Sequence, residues 1–319
     1  MSCIFVVSNK KKNKKNMRPT WTGIYPAVTT KFKENGELDI PAFIKNIEFQ
    51  IESGVSGIII GGSLGESSTL AASEKIELVK ALQPYRKQIP VVMNVAESST
   101  ERAVELAKNA EANSADGLML LPPLLYKADA DETVDYFKAV AAATSLPILL
   151  YNNPVDYKIE ITIPMFEQLK DVSNIEAVKE STRDLTNITK MRNAFGDRFK
   201  ILGGVDTLCL ESLLLGGDGL VAGLVCAFPR ETVALFNLAK AGRIDEAVKL
   251  YRWFMPLLEM DIHSKLVQYI KLCEVYTGIG TEYVRAPRKM ISGAEREKIV
   301  AIIESALKVR PDVSAYLKG

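Results

Sequence analysis

The chain has 319 residues, of which 47% are hydrophobic and 25% charged, as in an ordinary globular protein with a large core. Forty basic and thirty-nine acidic residues give a net charge of +1, which favours neither nucleic acid nor an anionic membrane as a partner. No apolar run reaches the roughly 20 residues that a membrane span needs. We therefore expect a small-molecule substrate as the main partner.

The first residues differ from the rest of the chain. A short apolar run from Ile4 to Val7 is followed by a lysine cluster between Lys10 and Lys15. The run is too short for a signal peptide, and the charges lie on the wrong side of it. We expect residues 1–17 to be a disordered basic leader or the product of a start codon assigned too early, with a nucleic-acid-binding tag as the alternative.

Cysteine and histidine content limits the possible chemistry. Cys3, Cys209, Cys226 and Cys273 show no Cys-x-x-Cys spacing, which favours reduced thiols in a cytoplasmic protein. The only histidine is His263, so a His-rich metal site or a Ser-His-Asp triad cannot form. We expect His263 to be a surface or packing residue, and the protein to use no metal and no cofactor.

From Trp21 onward, short β-rich apolar runs alternate with amphipathic stretches of helical length, which predicts βα units around a parallel sheet. The predicted strands are Gly23–Thr29, Gly57–Gly61, Pro90–Val95, Gly117–Leu121, Ile148–Tyr151, Glu176–Lys179, Lys200–Leu202 and Gly219–Ala222. The predicted helices between them are Ile40–Glu52, Glu74–Tyr85, Thr100–Ala112, Asp131–Ala143, Ile163–Leu169, Leu185–Ala194 and Thr207–Leu215.

Eight such strands favour an α/β fold of the closed (β/α)8 TIM-barrel type over an open sheet. No Gly-x-Gly-x-x-Gly motif follows the first strand, which argues against dinucleotide binding. After Phe228 the pattern is wholly helical, with runs near Thr232–Lys240, Ile244–Glu259, Lys265–Tyr276 and Glu295–Leu307. We expect the barrel to span residues 18–242, and a C-terminal helical extension, residues 243–319, to pack on it.

Two residues at strand ends are the candidate catalytic groups, because barrel enzymes work at the carboxyl ends of their strands. Lys179 ends the sixth strand on the face opposite Val178. In a barrel interior its amine would lose its charge readily and could attack a carbonyl or imine carbon. Tyr151 ends the fifth strand and could move protons beside that amine. A lysine reaching solvent and a tyrosine in the core are the structural alternatives.

Glycine-rich turns after two strands are candidate substrate-binding segments. The turn from Gly61 to Glu66 exposes backbone N–H groups and adds the Ser63 hydroxyl, so it could hold a carboxylate, although it could equally be a simple tight turn. The substrate contacts that we expect are Gly62, Ser63 and Leu64 after the second strand, and Gly203 and Gly204 after the seventh.

Three ordered motifs resemble the dihydrodipicolinate synthase and N-acetylneuraminate lyase family. They are the Gly-x-x-Gly-Glu turn after the second strand, Tyr-Asn-x-Pro from Tyr151 to Pro154, and Val-Lys-Glu-Ser from Val178 to Ser181. The resemblance runs from about Trp21 to the C-terminus. It implies that Lys179 forms the Schiff base, Tyr151 moves protons, the turn at Ser63 holds the substrate carboxylate, and the enzyme is a homotetramer.

The sequence departs from dihydrodipicolinate synthases at three positions. Leu64 replaces the second hydroxyl residue of the glycine turn, and Asp156 replaces an arginine that binds the carboxylate of the aldehyde substrate. Leu125, in the loop after the fourth strand, replaces a tyrosine of the proton relay. These departures make a role in lysine biosynthesis doubtful.

A closer resemblance is to the branch that deaminates 1-pyrroline-4-hydroxy-2-carboxylate in hydroxyproline breakdown. The segments that carry it are Trp21–Thr30, Tyr151–Pro154 with Tyr157-Lys158, Arg252–Leu258, Leu266–Gln268 and Ile270–Glu274. The resemblance implies ammonia and 2,5-dioxopentanoate as products. The alternatives are an aldolase or dehydratase for 2-keto-3-deoxy sugar acids, then dihydrodipicolinate synthase, and a catalytically silent binding barrel.

Overall fold

A computed structural model describes residues 17–317 of the chain, so the basic leader predicted for residues 1–17 lies almost wholly outside the described residues. All strand pairs are parallel, in the order β1-β8-β7-β6-β5-β4-β3-β2. The strands are β1 (Gly23–Pro26), β2 (Ile58–Ile60), β3 (Val91–Val95), β4 (Gly117–Leu120), β5 (Ile148–Asn152), β6 (Ile175–Glu180), β7 (Lys200–Gly203) and β8 (Gly219–Ala222).

The sheet closes on itself between its first two strands. Ala27, just after β1, forms a parallel bridge with Ile59 of β2, and the Val28 N–H donates to the Ile59 carbonyl at 2.9 Å. On its other side, β1 pairs with β8 in register, with Gly23 opposite Gly219. The predicted (β/α)8 barrel is therefore confirmed, although β1 ends at Pro26, which pairs with the last residue of β8, rather than at Thr29.

Alternation along the strands separates two apolar layers. One layer fills the barrel interior with residues such as Tyr25, Leu149, Ala177 and Leu202. The other lies between the strands and the helices and includes Val178. Because Val178 faces the helices, the next residue on β6 faces the interior.

The helices surround the barrel and continue into the extension. They are α1 (Ile40–Glu52), α2 (Ala72–Ala81), α3 (Thr100–Ala112), α4 (Ala130–Ala142), α5 (Pro154–Tyr157), α6 (Ile163–Leu169), α7 (Thr186–Phe195), α8 (Cys209–Leu214), α9 (Pro229–Lys240), α10 (Ile244–Leu258), α11 (Leu266–Tyr276) and α12 (Gly293–Lys308). None of these helices is both long and apolar enough to cross a membrane.

Two helix predictions need correction, and one short helix was not predicted. The single helix predicted over Thr207–Leu215 is a 3₁₀ turn, Asp206–Leu208, followed by α8. The helix predicted to reach Tyr85 ends at Ala81, because Pro84 lies in a separate 3₁₀ turn. The four-residue helix α5 was not predicted; Asn153 caps it by accepting a hydrogen bond from the Asp156 N–H at 3.2 Å.

Two buried ion pairs join the extension to the barrel. Lys271 of α11 donates to the Glu66 carboxylate at 2.6 Å, and Lys31, after β1, donates to Glu274 of α11 at 2.8 Å. All four side chains are fully buried. Glu66 also accepts the Arg285 N–H at 3.0 Å, so the glycine-rich turn after β2 is held by residues from the extension.

Replacing Lys271 by alanine is expected to destabilise the protein strongly. The substitution leaves the Glu66 carboxylate buried without its main cationic partner, a situation that costs about 3–5 kcal/mol. The matched control is Lys265→Ala, because Lys265 forms a partly exposed pair with Glu295 and such pairs contribute about 0–1 kcal/mol. Urea unfolding measures both free energies of unfolding, and equal losses in the two variants would contradict the prediction.

Candidate active site

A cavity of about 80 Å³ lies at the carboxyl ends of the strands. The side chains of Tyr151 on β5 and Lys179 on β6 line it. These two residues are direct partners in the pairing of β5 with β6. The turn Gly62–Leu64 after β2 and Gly204 after β7 form other parts of its wall. The structure thus brings together all but one of the residues that the sequence predicted for the site.

Lys179 is the central residue of the cavity. Its side chain is only 7% exposed, and its Nζ lies 4.2 Å from the centre of the Tyr151 ring. Gly204 leaves the space that this side chain occupies, since a Cβ at position 204 would lie 2.7 Å from the Lys179 Cε. Burial lowers the pKa of the Lys179 ammonium, and the Asp261 carboxylate is the largest of the charges that oppose this shift. The site therefore favours a neutral amine that can act as a nucleophile.

Tyr151 and Tyr157 form an aromatic pair beside the lysine. Their rings pack edge to face with centroids 5.6 Å apart. The Tyr151 hydroxyl accepts a hydrogen bond from the Asn153 side-chain amide at 3.0 Å. Burial raises the pKa of the Tyr151 hydroxyl above its ordinary value and raises the pKa of Tyr157 to about 12. Both phenols are therefore protonated at neutral pH and can donate to a bound substrate.

The glycine-rich turn after β2 presents Ser63 to the cavity. The Ser63 hydroxyl is hydrogen-bonded to the Tyr157 hydroxyl. Glu66, at the end of the turn, has a left-handed backbone with φ of 59°, and its buried carboxylate is bound by Lys271. Leu64 is buried and lines the cavity with an apolar surface. The turn thus offers one hydroxyl and no charged group to a substrate.

Three carboxylates surround the lysine. Asp156 in α5 and Asp261 in the extension line the cavity. Asp206 lies behind its wall, where its carboxylate accepts the N–H groups of Gly223 at 3.0 Å and Leu224 at 2.6 Å. Burial raises the pKa of both Asp206 and Asp261, which are also close enough to interact with Lys179. The cavity wall is therefore rich in groups that favour a cationic nitrogen or donate a proton.

Gly203 does not contact the cavity, in contrast to the prediction. Strand alternation explains the difference: Leu202 and Gly204 face the interior, so Gly203 faces the helix layer. A Cβ at position 203 would lie 2.8 Å from Ser212 of α8. His263 lies outside the cavity, as predicted; it is exposed and stacks on Tyr269 with ring centroids 4.6 Å apart.

Several polar residues near the lysine, including Asp156, Ser181 and Arg183 in the cavity wall, were not predicted as site residues. Asn153 lies in the Tyr-Asn-x-Pro motif and Tyr157 lies in a segment that resembles a family branch, but neither was assigned a role in the site. Asp206 lies three residues after β7, and this position in the loop at a strand end was the signal that could have identified it. Asp261 comes from the extension, and no local pattern in the sequence links it to the barrel.

Sequence and structure comparisons place this chain in a known family. Residues 20–306 match the dihydrodipicolinate synthetase family. The chain is 32% identical over 278 residues to the 4-hydroxy-tetrahydrodipicolinate synthase of Methanothrix thermoacetophila, a match that covers 87% of this chain and 94% of that enzyme. It is 33% identical over 283 residues to the enzyme of the same name from Leptospira biflexa, covering 88% and 96%.

Solved structures agree with these matches. The 4-hydroxy-tetrahydrodipicolinate synthase of Methylacidiphilum fumariolicum SolV superimposes with a TM-score of 0.88 at 30% identity, covering 92% of this chain and 99% of that one. The dihydrodipicolinate synthase of Aquifex aeolicus gives a TM-score of 0.85 at 28% identity, covering 89% and 97%. The chain belongs to the dihydrodipicolinate synthetase family, whose members are lyases that form a Schiff base through a lysine.

Schiff-base formation with pyruvate is expected to begin at a lower pH than for an ordinary lysine. Only the neutral amine attacks a carbonyl, and burial lowers the pKa of Lys179 from the ordinary value of about 10.4. The rate of borohydride-trapped adduct formation should therefore rise with pH and reach half its maximum well below that value. The Lys179→Arg variant gives the background, and a midpoint at or above about pH 10 would contradict the prediction.

Proposed function

We propose that this protein is a Schiff-base deaminase that converts 1-pyrroline-4-hydroxy-2-carboxylate into 2,5-dioxopentanoate and ammonia. The observation that carries the proposal is the charge of the cavity wall. Asp156 occupies the position at which dihydrodipicolinate synthases have an arginine, and it lines the cavity together with Asp261. The Asp156 carboxylate repels a second substrate carboxylate, whereas it attracts the ammonium group that ring opening releases.

In the first stage, the Lys179 amine adds to C2 of the cyclic imine. The C2 bond to the ring nitrogen then breaks, so the ring opens and the nitrogen leaves as an amine on C5. The product is an iminium ion between Lys179 and C2. Its positive charge acidifies the hydrogens on C3, because the electrons of a broken C3–H bond can move into the iminium group. The Asp156 carboxylate compensates part of the positive charge that this stage creates.

In the second stage, the C3 proton and the C4 hydroxyl are lost. Tyr151 lies against the Lys179 Nζ and is placed to move the C3 proton. Loss of the hydroxyl as water leaves a conjugated system that tautomerises to an imine at C5. Hydrolysis at C5 releases ammonia, and hydrolysis at C2 frees Lys179. One water is lost and two are added, so the reaction consumes one water overall.

A second candidate is 4-hydroxy-tetrahydrodipicolinate synthase, the activity for which the relatives above are named. That reaction needs a cation for the carboxylate of the aldehyde substrate. Arg183 lines the mouth of the cavity and is exposed, so it is the cationic group available for this purpose. The Asp156 carboxylate lines the same cavity and repels the substrate carboxylate that Arg183 attracts.

Ammonia release from 1-pyrroline-4-hydroxy-2-carboxylate tests the proposed function. The expected result is ammonia and 2,5-dioxopentanoate in equal amounts from this compound, and no condensation of pyruvate with aspartate semialdehyde. Lys179→Arg is the control, because it keeps the charge and removes the nucleophile. Condensation of pyruvate with the semialdehyde, without ammonia release from the pyrroline, would select the second candidate. Cleavage or dehydration of a 2-keto-3-deoxy sugar acid alone would also reject the deaminase.

Ser63→Ala is expected to raise KM for the pyrroline more than it lowers kcat. The Ser63 hydroxyl and the neighbouring N–H groups are proposed to bind the substrate carboxylate equally in the ground state and the transition state. Losing one neutral hydrogen bond costs about 0.5–1.5 kcal/mol, so KM should rise by roughly 2- to 12-fold. Steady-state kinetics measures both constants. A fall in kcat at unchanged KM would assign the hydroxyl to the chemical step instead.

A further inference from the structure

Asp261 reaches the cavity from outside the barrel. It lies in a 3₁₀ turn, Glu259–Ile262, between α10 and α11, and this turn packs against the 3₁₀ turn at Asp206. Its carboxylate approaches the end of β8 so closely that any side chain at Gly223 would collide with it. The fold therefore leaves room for this carboxylate at the carboxyl end of β8, where it lines the cavity.

The three carboxylates near the lysine differ in their freedom to act on a substrate. The Asp206 carboxylate is occupied by two backbone N–H donors. The Asp156 carboxylate accepts the Asn153 side-chain amide at 2.8 Å. No side chain between residues 17 and 317 donates a hydrogen bond to the Asp261 carboxylate, although the backbone of Asp206 lies near it. Asp261 is thus the carboxyl group with capacity left for a substrate atom.

The proposed reaction needs a second proton-transfer group. Hydroxide is a poor leaving group, so loss of the C4 hydroxyl requires an acid that protonates it as the C4–O bond breaks. Tyr151 is placed at the Lys179 Nζ, near the C2 and C3 end of the substrate. A group at another part of the cavity wall can act on C4 while Tyr151 acts on C3.

We propose that Asp261 is the general acid that protonates the C4 hydroxyl of the substrate as it leaves. The assignment rests on the proposed deaminase function. In this step the enamine electron pair forms the C3–C4 double bond, and the pair of the C4–O bond leaves with the oxygen. The Asp261 proton converts that oxygen into water, and the Lys179 nitrogen becomes a protonated iminium group.

The surroundings of Asp261 suit an acid. Burial raises its pKa, and Asp206 and Asp156 raise it further, while the Lys179 ammonium opposes the shift. The carboxylic acid form therefore persists to a higher pH than in an exposed aspartate. Because that form is the active one, kcat should fall as pH rises through the pKa of Asp261.

Asp261→Asn tests the assignment. Schiff-base formation does not need the acid, so borohydride should trap pyruvate on Lys179 in this variant as in the wild type. With the pyrroline, kcat should fall at least about 100-fold, the lower range for general acid catalysis. The trapped adduct should be the form that retains the hydroxyl, which is heavier by one water than the eliminated form. The fall in kcat at high pH should also disappear. The control is Glu259→Gln, the same change of charge on an exposed residue of the same turn.

The outcomes separate the assignment from the proposed function. If the wild type releases ammonia and Asp261→Asn matches it in kcat and pH profile, the assignment alone is wrong. If Asp261→Asn fails to trap pyruvate although it is folded by circular dichroism, Asp261 serves the Lys179 amine and the assignment is also wrong. If the wild type releases no ammonia from the pyrroline, both the assignment and the proposed function are wrong. An Asp261→Glu variant that regains part of the lost kcat would support the acid role.

Discussion

Burial of the Lys179 amine is the constraint on which the rest of the site depends. An ammonium group taken out of water loses hydration that the protein must replace, so its pKa falls and the neutral form becomes accessible. The interior position on β6 imposes the burial, and Gly204 leaves the space for the side chain. Once a Schiff base forms, the same nitrogen carries a positive charge, and the Asp156 carboxylate then stabilises it. The same surroundings therefore accommodate both the neutral amine of Lys179 and the positively charged nitrogen of its Schiff base.

The C-terminal extension takes part in building the site. Lys271 of α11 binds Glu66, which ends the turn that presents Ser63, and the turn before α11 supplies Asp261. The burial of Lys271 lowers its pKa to about 8, although Glu66 opposes the shift. Barrel and extension are therefore linked through residues on two sides of the cavity, and a change in the packing of α11 would alter both at once.

The sequence was sufficient to predict the eight strands and the inward direction of Lys179, because buried parallel strands are continuous apolar runs and side chains alternate along them. Gly203 was wrongly predicted to line the site, because side chains alternate between the two faces of β7 and only Leu202 and Gly204 face the interior. Tyr157 was missed because its position depends on the short helix α5, which has no periodic pattern. Asp261 was missed because its place depends on how α10 and α11 pack against the barrel, and such long-range contacts leave no local signal.

The most direct test of this account is to identify the lysine that pyruvate labels. The full chain is incubated with pyruvate and sodium borohydride, digested, and mapped by mass spectrometry. The account predicts a single reduced adduct on Lys179, since the other buried lysines between residues 17 and 317, which are Lys31, Lys75 and Lys271, do not line the cavity. An intact protein without any adduct, or an adduct on another lysine, would contradict the central claim that the buried amine of Lys179 is the nucleophile.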